Sequence, residues 1–146
     1  MPDSSRKEKL QTWMQVLRDR DLRLTQARLA VMNIMVRSST PLTARKIYDR
    51  ARKTDQSLGM ASVYRTLEVL SELDLIQLIH QPQGCQAYAP SLTGHQHFII
   101  CTACGRMAPF EGRDEVSDFF REVGEKRGYQ VQDHWLQVFG MCRLCQ

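Results

Sequence analysis

Two Cys-x-x-Cys pairs, Cys101-Thr102-Ala103-Cys104 and Cys142-Arg143-Leu144-Cys145, stand 37 residues apart in a chain of 146. Four thiolates can surround one Zn²⁺ tetrahedrally at ~2.3 Å, and a two-residue spacer lets both sulfurs of a pair turn toward the same ion. The second pair lies one residue from the end of the sequence, where a strand would otherwise fray. An ion there fastens that end onto the body of its domain. The other readings of four cysteines are two disulfides or a redox pair. Disulfides need a secretory route, and a thioredoxin-like pair does not come in duplicate. The spacing therefore predicts one structural zinc per chain, on Cys101, Cys104, Cys142 and Cys145.

A staple of this kind suits a chain that divides. One body of this length could bury ~70% of its unfolded surface, and two halves bury less. The first residues, Met-Pro-Asp-Ser-Ser-Arg-Lys-Glu-Lys, hold no apolar segment, and no run approaches ~18 apolar residues. The expectation is a cytoplasmic protein with no membrane segment. Charge is unevenly spread. Residues 1–90 hold 14 Lys/Arg against 9 Asp/Glu, while 91–146 hold 6 against 7. A basic front and a slightly acidic back suggest a polyanionic partner for the front.

Taken in order, Ser4 to Arg20 reads as a helix through Leu10, Trp13, Met14 and Leu17. Thr25 is placed to cap a second helix, with Leu29, Met32 and Val36 on its apolar face. Thr43 caps a third, basic helix from Ala44 to about Lys53. A fourth runs from Met60 to Leu73, with Val63, Leu67 and Leu70 on one stripe and Ser62, Tyr64, Arg65 and Glu68 off it. Leu75 to His80 and Gln86 to Ala89 read as strands around a turn-rich connection. Three helices and then a hairpin is the order of a winged helix-turn-helix, preceded by one extra helix, and in that module the last helix enters the major groove. A small helical core without a nucleic-acid role is the plainer alternative. The exposed Tyr64-Arg65 pair and the basic surplus favour double-stranded DNA.

Pro90 to Gly94 reads as a linker, dividing a winged-helix domain (1–89) from a smaller one (95–146). In the latter, His97 to Cys101 and Arg106 to Phe110 read as strands and Asp114 to Lys126 as a helix. Tyr129 to Val131 and His134 to Phe139 read as the closing strands. The expected class is α+β, with an N-terminal winged helix-turn-helix followed by a small α/β domain whose edge strand ends in the four-cysteine zinc site.

Several of these residues resemble the ferric uptake regulator family. They are Leu24-Thr25-x-x-Arg28, Ala61-Ser62-Val63-Tyr64-Arg65-Thr66-Leu67, the His-x-His ahead of Cys-x-x-Cys-Gly, and the His134 to Gly140 segment before the closing pair. The resemblance runs from about residue 10 to the end. It implies a homodimeric, metal-dependent repressor with an N-terminal winged helix, a C-terminal dimerisation domain, and regulatory metal near the hinge. It also implies that Tyr64 touches bases, Arg65 the adjacent phosphates, and that Arg23 reaches toward the minor groove. Ser62 and Arg28 join these candidate DNA contacts.

The chain departs from the family pattern at the hinge site. Typical members carry histidines three and five residues before the first cysteine, where this chain has Phe98 and Gln96, and the usual acid after the first pair is Pro109. No histidine occurs between residues 1 and 79. His95 and His97 instead fall in register with a second family site beside the dimerisation domain, which His134 also matches. Glu115, then Glu111, stands nearest the acid of that site.

The residues themselves support part of this. His95 and His97 alternate on a strand, so both imidazoles point to one face and can converge on an ion. His80 and Cys85 flank the wing turn next to the linker, where a Cys/His pair could clamp the two domains together. Thiolate and imidazole suit Zn²⁺ better than Fe²⁺ or Mn²⁺. The expectation is thus a zinc-responsive repressor of metal uptake genes with a second, regulatory zinc. An iron-, manganese- or peroxide-responsive regulator is the alternative. Zinc deaminases also join His to Cys-x-x-Cys, but they need His-x-Glu and a proline before the pair, and this chain has neither. A zinc-ribbon interaction module explains the cysteines but not the Tyr64-Arg65 helix. Neither an enzyme nor a small organic substrate is expected.

Overall fold

Four helices and a hairpin build the first of two units in this computed structural model, which describes residues 3–80, 86–92, 96–112, 114–132, 134 and 136–146. The units are Met1–Ser91 and Leu92–Gln146. In the first, α1 (Asp3–Asp19), α2 (Gln26–Arg37), α3 (Ala44–Ala51) and α4 (Met60–Glu72) precede β1 (Ile76–His80) and β2 (Gln86–Pro90). Both expected caps form: Thr25 Oγ1 accepts from the Arg28 amide and Thr43 Oγ1 from the Lys46 amide, each at 3.2 Å. Such a cap satisfies an amide that the first helical turn leaves without a partner.

The apolar stripes then meet. Trp13 and Leu17 of α1, Met32 and Met35 of α2, Ile47 of α3 and Leu67 and Leu70 of α4 are buried together. A fully buried side chain of this size contributes ~1.5–3 kcal/mol. Thr66 is the polar member of the α4 stripe, and its hydroxyl donates to the Ser62 carbonyl at 2.8 Å, so its burial leaves nothing unsatisfied. The wing is pinned to the helices through Leu42, whose amide and carbonyl exchange hydrogen bonds of 2.9 and 2.8 Å with Tyr88. Pro90 belongs to β2, paired with Ile76, rather than to the connection after it.

The second unit has β3 (Gln96–Cys101), β4 (Met107–Glu111), α5 (Asp114–Arg127) and β5 (Gln137–Gly140). Its sheet has the order β4-β3-β5, with β3 antiparallel to β4 and parallel to β5. A parallel neighbour requires a crossover, and α5 supplies it. The central strand β3 therefore carries Cys101, while the edge strand β5 leads into Cys142.

Two expectations fail here. Tyr129 to Val131 is not a strand, and the last strand begins at Gln137 rather than His134. The cause is the end of α5. Gly128 adopts φ +75°, and the Tyr129 amide donates back to the Gly124 carbonyl at 2.9 Å. This closure returns the chain against the helix it has just left. Val131 then sits over Gly124, where a Cβ would lie 2.5 Å from Val131 Cγ2 and 2.9 Å from the Tyr129 carbonyl oxygen. The Tyr129 backbone and the Val131 side chain are spent on closing the helix end, and alternation alone cannot reveal that.

Gly124→Ala reverses the usual sign of a helix substitution. Alanine ordinarily stabilises a helix by ~1 kcal/mol over glycine. Here the clash with a stiff Val and with backbone should outweigh that and cost ~1–3 kcal/mol. Chemical denaturation of the two proteins checks it, and a more stable variant contradicts this packing.

Candidate metal centre and nucleic-acid interface

The second unit brings all four paired cysteines together. Their sulfurs lie within 4.8 Å of one another, in the one group of three or more potential ligands found among the described residues. Tetrahedral Zn–S bonds of ~2.3 Å require sulfurs ~3.8 Å apart. Cys104 and Cys142, from opposite pairs, have their Sγ atoms 3.8 Å apart. All four are free of disulfides. The donor set and its size fit a Zn²⁺ ion.

The local backbone explains the gathering. Gly105 at φ +73° closes the first turn, its amide donating to the Cys101 carbonyl at 2.9 Å. The Cys145 amide closes the second on the Cys142 carbonyl at 2.8 Å. The Thr102 amide, donating to Gly140 at 2.8 Å, joins the strand ends, and the Cys142 amide donates to Cys101 Sγ at 3.3 Å. Backbone amides of Cys104 and Cys142 pull the Cys101 thiol down to about 6. Hydrogen bonds to the Cys142 and Cys104 sulfurs push the Cys145 thiol up to about 12. Without an ion the cluster biases Cys101 toward thiolate and Cys145 toward its protonated form. An ion takes all four as thiolates and releases the remaining protons.

A second gathering lies along β3. His97, 7% exposed, stands opposite Phe110 in the sheet. Its ring centroid is 5.3 Å from that of His134, which in turn is 4.9 Å from Phe120 of α5. The structure thus brings His97 and His134 side by side in an aromatic surround. His95, Cys85 and the Glu115 side chain lie outside the described residues. Glu111 ends β4 and His80 ends β1, both exposed. The roles of Phe110 and Phe120 were not visible in the sequence, because one depends on the register of β4 on β3 and the other on the placing of α5.

The first unit presents the DNA-reading candidates. Tyr64 is 53% exposed on α4, and Arg65 beside it donates to Ser62 Oγ at 3.1 Å. The α4 N-terminus has no side-chain cap and no acid in its first turn, so the positive end of its dipole stays open to a phosphate. Arg23 is exposed at the entry to α2. Arg28, partly exposed on α2, donates to the Arg23 carbonyl at 2.6 Å and so ties the two arginines together. On α3 and its cap, Arg45, Lys46, Arg50 and Arg52 are exposed. Tyr88 of the wing has its hydroxyl pushed above the ordinary range, by burial first and then by the Tyr64 phenol.

These two features, a winged helix and a four-sulfur sheet, coincide with one family. The sequence profile of the ferric uptake regulator family matches residues 19–139. The chain is 27% identical over 131 residues to the ferric uptake regulation protein of Neisseria meningitidis, covering 89% of this chain and 90% of that one. It is 27% identical over 125 residues to the zinc uptake regulation protein of Mycobacterium tuberculosis, covering 86% and 95%. A zinc uptake regulator solved in complex with zinc and DNA superposes with a TM-score of 0.77 at 23% identity, over 96% of this chain and 94% of that one. The chain belongs to the ferric uptake regulator family. It is accordingly a metal-responsive, DNA-binding transcriptional regulator and not an enzyme. No helix among the described residues is long and apolar enough to cross a membrane.

Cys142→Ser removes one corner of the sulfur cluster. Structural zinc contributes ~10 kcal/mol or more in small metal-folded peptides, so the second unit should lose its cooperative melting transition. Differential scanning calorimetry with metal analysis reads this, and an unchanged transition contradicts it. Acidification should release the ion below a threshold pH, because protons compete with Zn²⁺ for each of the four thiolates. A zinc dye across a pH series measures that threshold.

Proposed function

We propose that this protein is a zinc-responsive repressor of metal uptake genes, holding two zinc ions per chain and acting as a homodimer on double-stranded operator DNA. The observation that carries the reading is the pairing of His97 with His134, 5.3 Å between ring centroids, in the unit that also holds the four sulfurs. Cys101, Cys104, Cys142 and Cys145 hold the structural zinc. His97 and His134 hold the regulatory one, with His95 and Glu115 the nearest candidates to complete it and Glu111, His80 and Cys85 behind them. Nitrogen-rich ligation favours zinc over the harder ions that carboxylate and water suit. The zinc-named relative supports the same choice, while the iron-named relative of equal identity keeps iron as the second reading.

Zinc at the regulatory site stabilises the DNA-competent state by the difference in its affinity for the two states, and by no more than that. On the DNA side, Tyr64 and Ser62 face the bases, Arg65 an adjacent phosphate, and Arg23, tied to Arg28, the minor groove. The apolar surface that Phe119, Val123, Tyr129 and Val131 leave exposed supports a second copy as its cover.

His97→Ala should retain the four-sulfur zinc and lose the other. Coupled sites typically change affinity ~5- to 150-fold, so the zinc-dependent gain in DNA binding should collapse to about one. Fluorescence anisotropy on duplexes selected by the parent protein checks this, with Zn²⁺, Fe²⁺ and Mn²⁺ in separate titrations. A variant that keeps the parent's zinc response, or a parent that responds to iron alone, overturns the zinc reading.

A further inference from the structure

The outward face of α4 carries one group that the reading above leaves without a task. The helix buries Val63, Thr66, Leu67 and Leu70. Successive residues turn by roughly 100°, so Ala61, Tyr64, Arg65 and Glu68 share the opposite, exposed face. Glu68 falls between Tyr64 and Arg65 around the helix and about one turn further along it. An acid three residues from an arginine is within reach of an intrahelical ion pair. That pair is not made. The Arg65 guanidinium turns the other way, onto Ser62 Oγ at 3.1 Å. Among the described residues Glu68 enters no ion pair, although Arg45–Asp49, Arg121–Asp118 and Lys126–Glu122 all form at the same spacings.

A carboxylate at the centre of a face that meets a polyanion is repelled by every phosphate it approaches. It is tolerated where a base donates to it. In the major groove cytosine offers its N4 amino group as a donor, and glutamate accepts from it. Adenine sets its N6 donor beside the N7 acceptor, which a carboxylate repels, and guanine presents acceptors alone. We propose that Glu68 reads a cytosine in each operator half-site and so is a specificity-determining residue. This rests on α4 being the helix that enters the groove. Tyr64 and Arg65 then supply contact and affinity, while Glu68 penalises duplexes that set an acceptor where the cytosine amino group would lie.

The test uses the full-length, zinc-loaded protein and a random-sequence duplex pool, followed by competition between duplexes that differ at single base pairs. The parent should prefer cytosine at one position per half-site by on the order of tenfold. Glu68→Gln should move that preference toward adenine, whose N6 and N7 match an amide. Glu68→Ala should leave the position unselected and the rest of the profile intact. An unchanged profile in both variants overturns the inference. So does an equal rise in affinity for all duplexes, which would make Glu68 a general repeller of DNA. A parent that enriches no duplex at all overturns instead the reading of α4 on which this inference stands.

Discussion

Four sulfurs at the ends of two neighbouring strands are the constraint on which the second unit depends. Its sheet has three strands, and the edge strand β5 is only four residues long. A unit of about 55 residues buries too little apolar surface to be secure on its own. Placing Cys101 at the end of the central strand and Cys142 just beyond the edge strand lets one tetrahedral ion fix their relation. The amide of Cys142 on the Cys101 sulfur already holds that relation in the protein chain. The same strand β3 carries His97 four residues earlier, on the same face by alternation. Whatever fixes one end of β3 also fixes the register of the proposed sensor.

Much of the first unit was legible because its signals are local. Thr25 and Thr43 announce helix starts through side-chain oxygens that reach only three residues ahead. Trp13 and Leu17, or Val63, Leu67 and Leu70, announce buried faces through spacing alone. The four cysteines were legible for a chemical reason, since their type and spacing suit one ion. What escaped reading was set by tertiary geometry. Nothing in the spacing of Tyr129 and Val131 shows that a closure at Gly128 turns them onto Gly124. The bond from Arg28 to the Arg23 carbonyl, which links two candidate DNA contacts, becomes visible only in three dimensions. Phe110 meets His97 through the register of β4 on β3, and Phe120 meets His134 through the placing of α5.

The two units divide the physics of regulation between them. The first carries fixed charge and shape: an open helix N-terminus, a basic α3 and an exposed face on α4 that mixes a cation with an anion. Phosphate contacts of this kind give affinity for any duplex, and only contacts to base edges give selection. The second carries the groups whose state depends on metal. Four thiolates closing on one ion give a shape-keeping site, and the proposed imidazole pair would give a second one open to exchange. A regulator needs both grades of site, one to keep its shape and one to report a concentration.

We propose that the looser of two zinc ions governs DNA binding. The decisive measurement titrates Zn²⁺ into metal-free protein against a competing chelator, with metal occupancy and DNA anisotropy read in the same cuvette. Two equivalents per chain should bind, the first without change in DNA affinity and the second bringing DNA binding with it. DNA binding that is complete after the first equivalent, or that ignores zinc altogether, would contradict it.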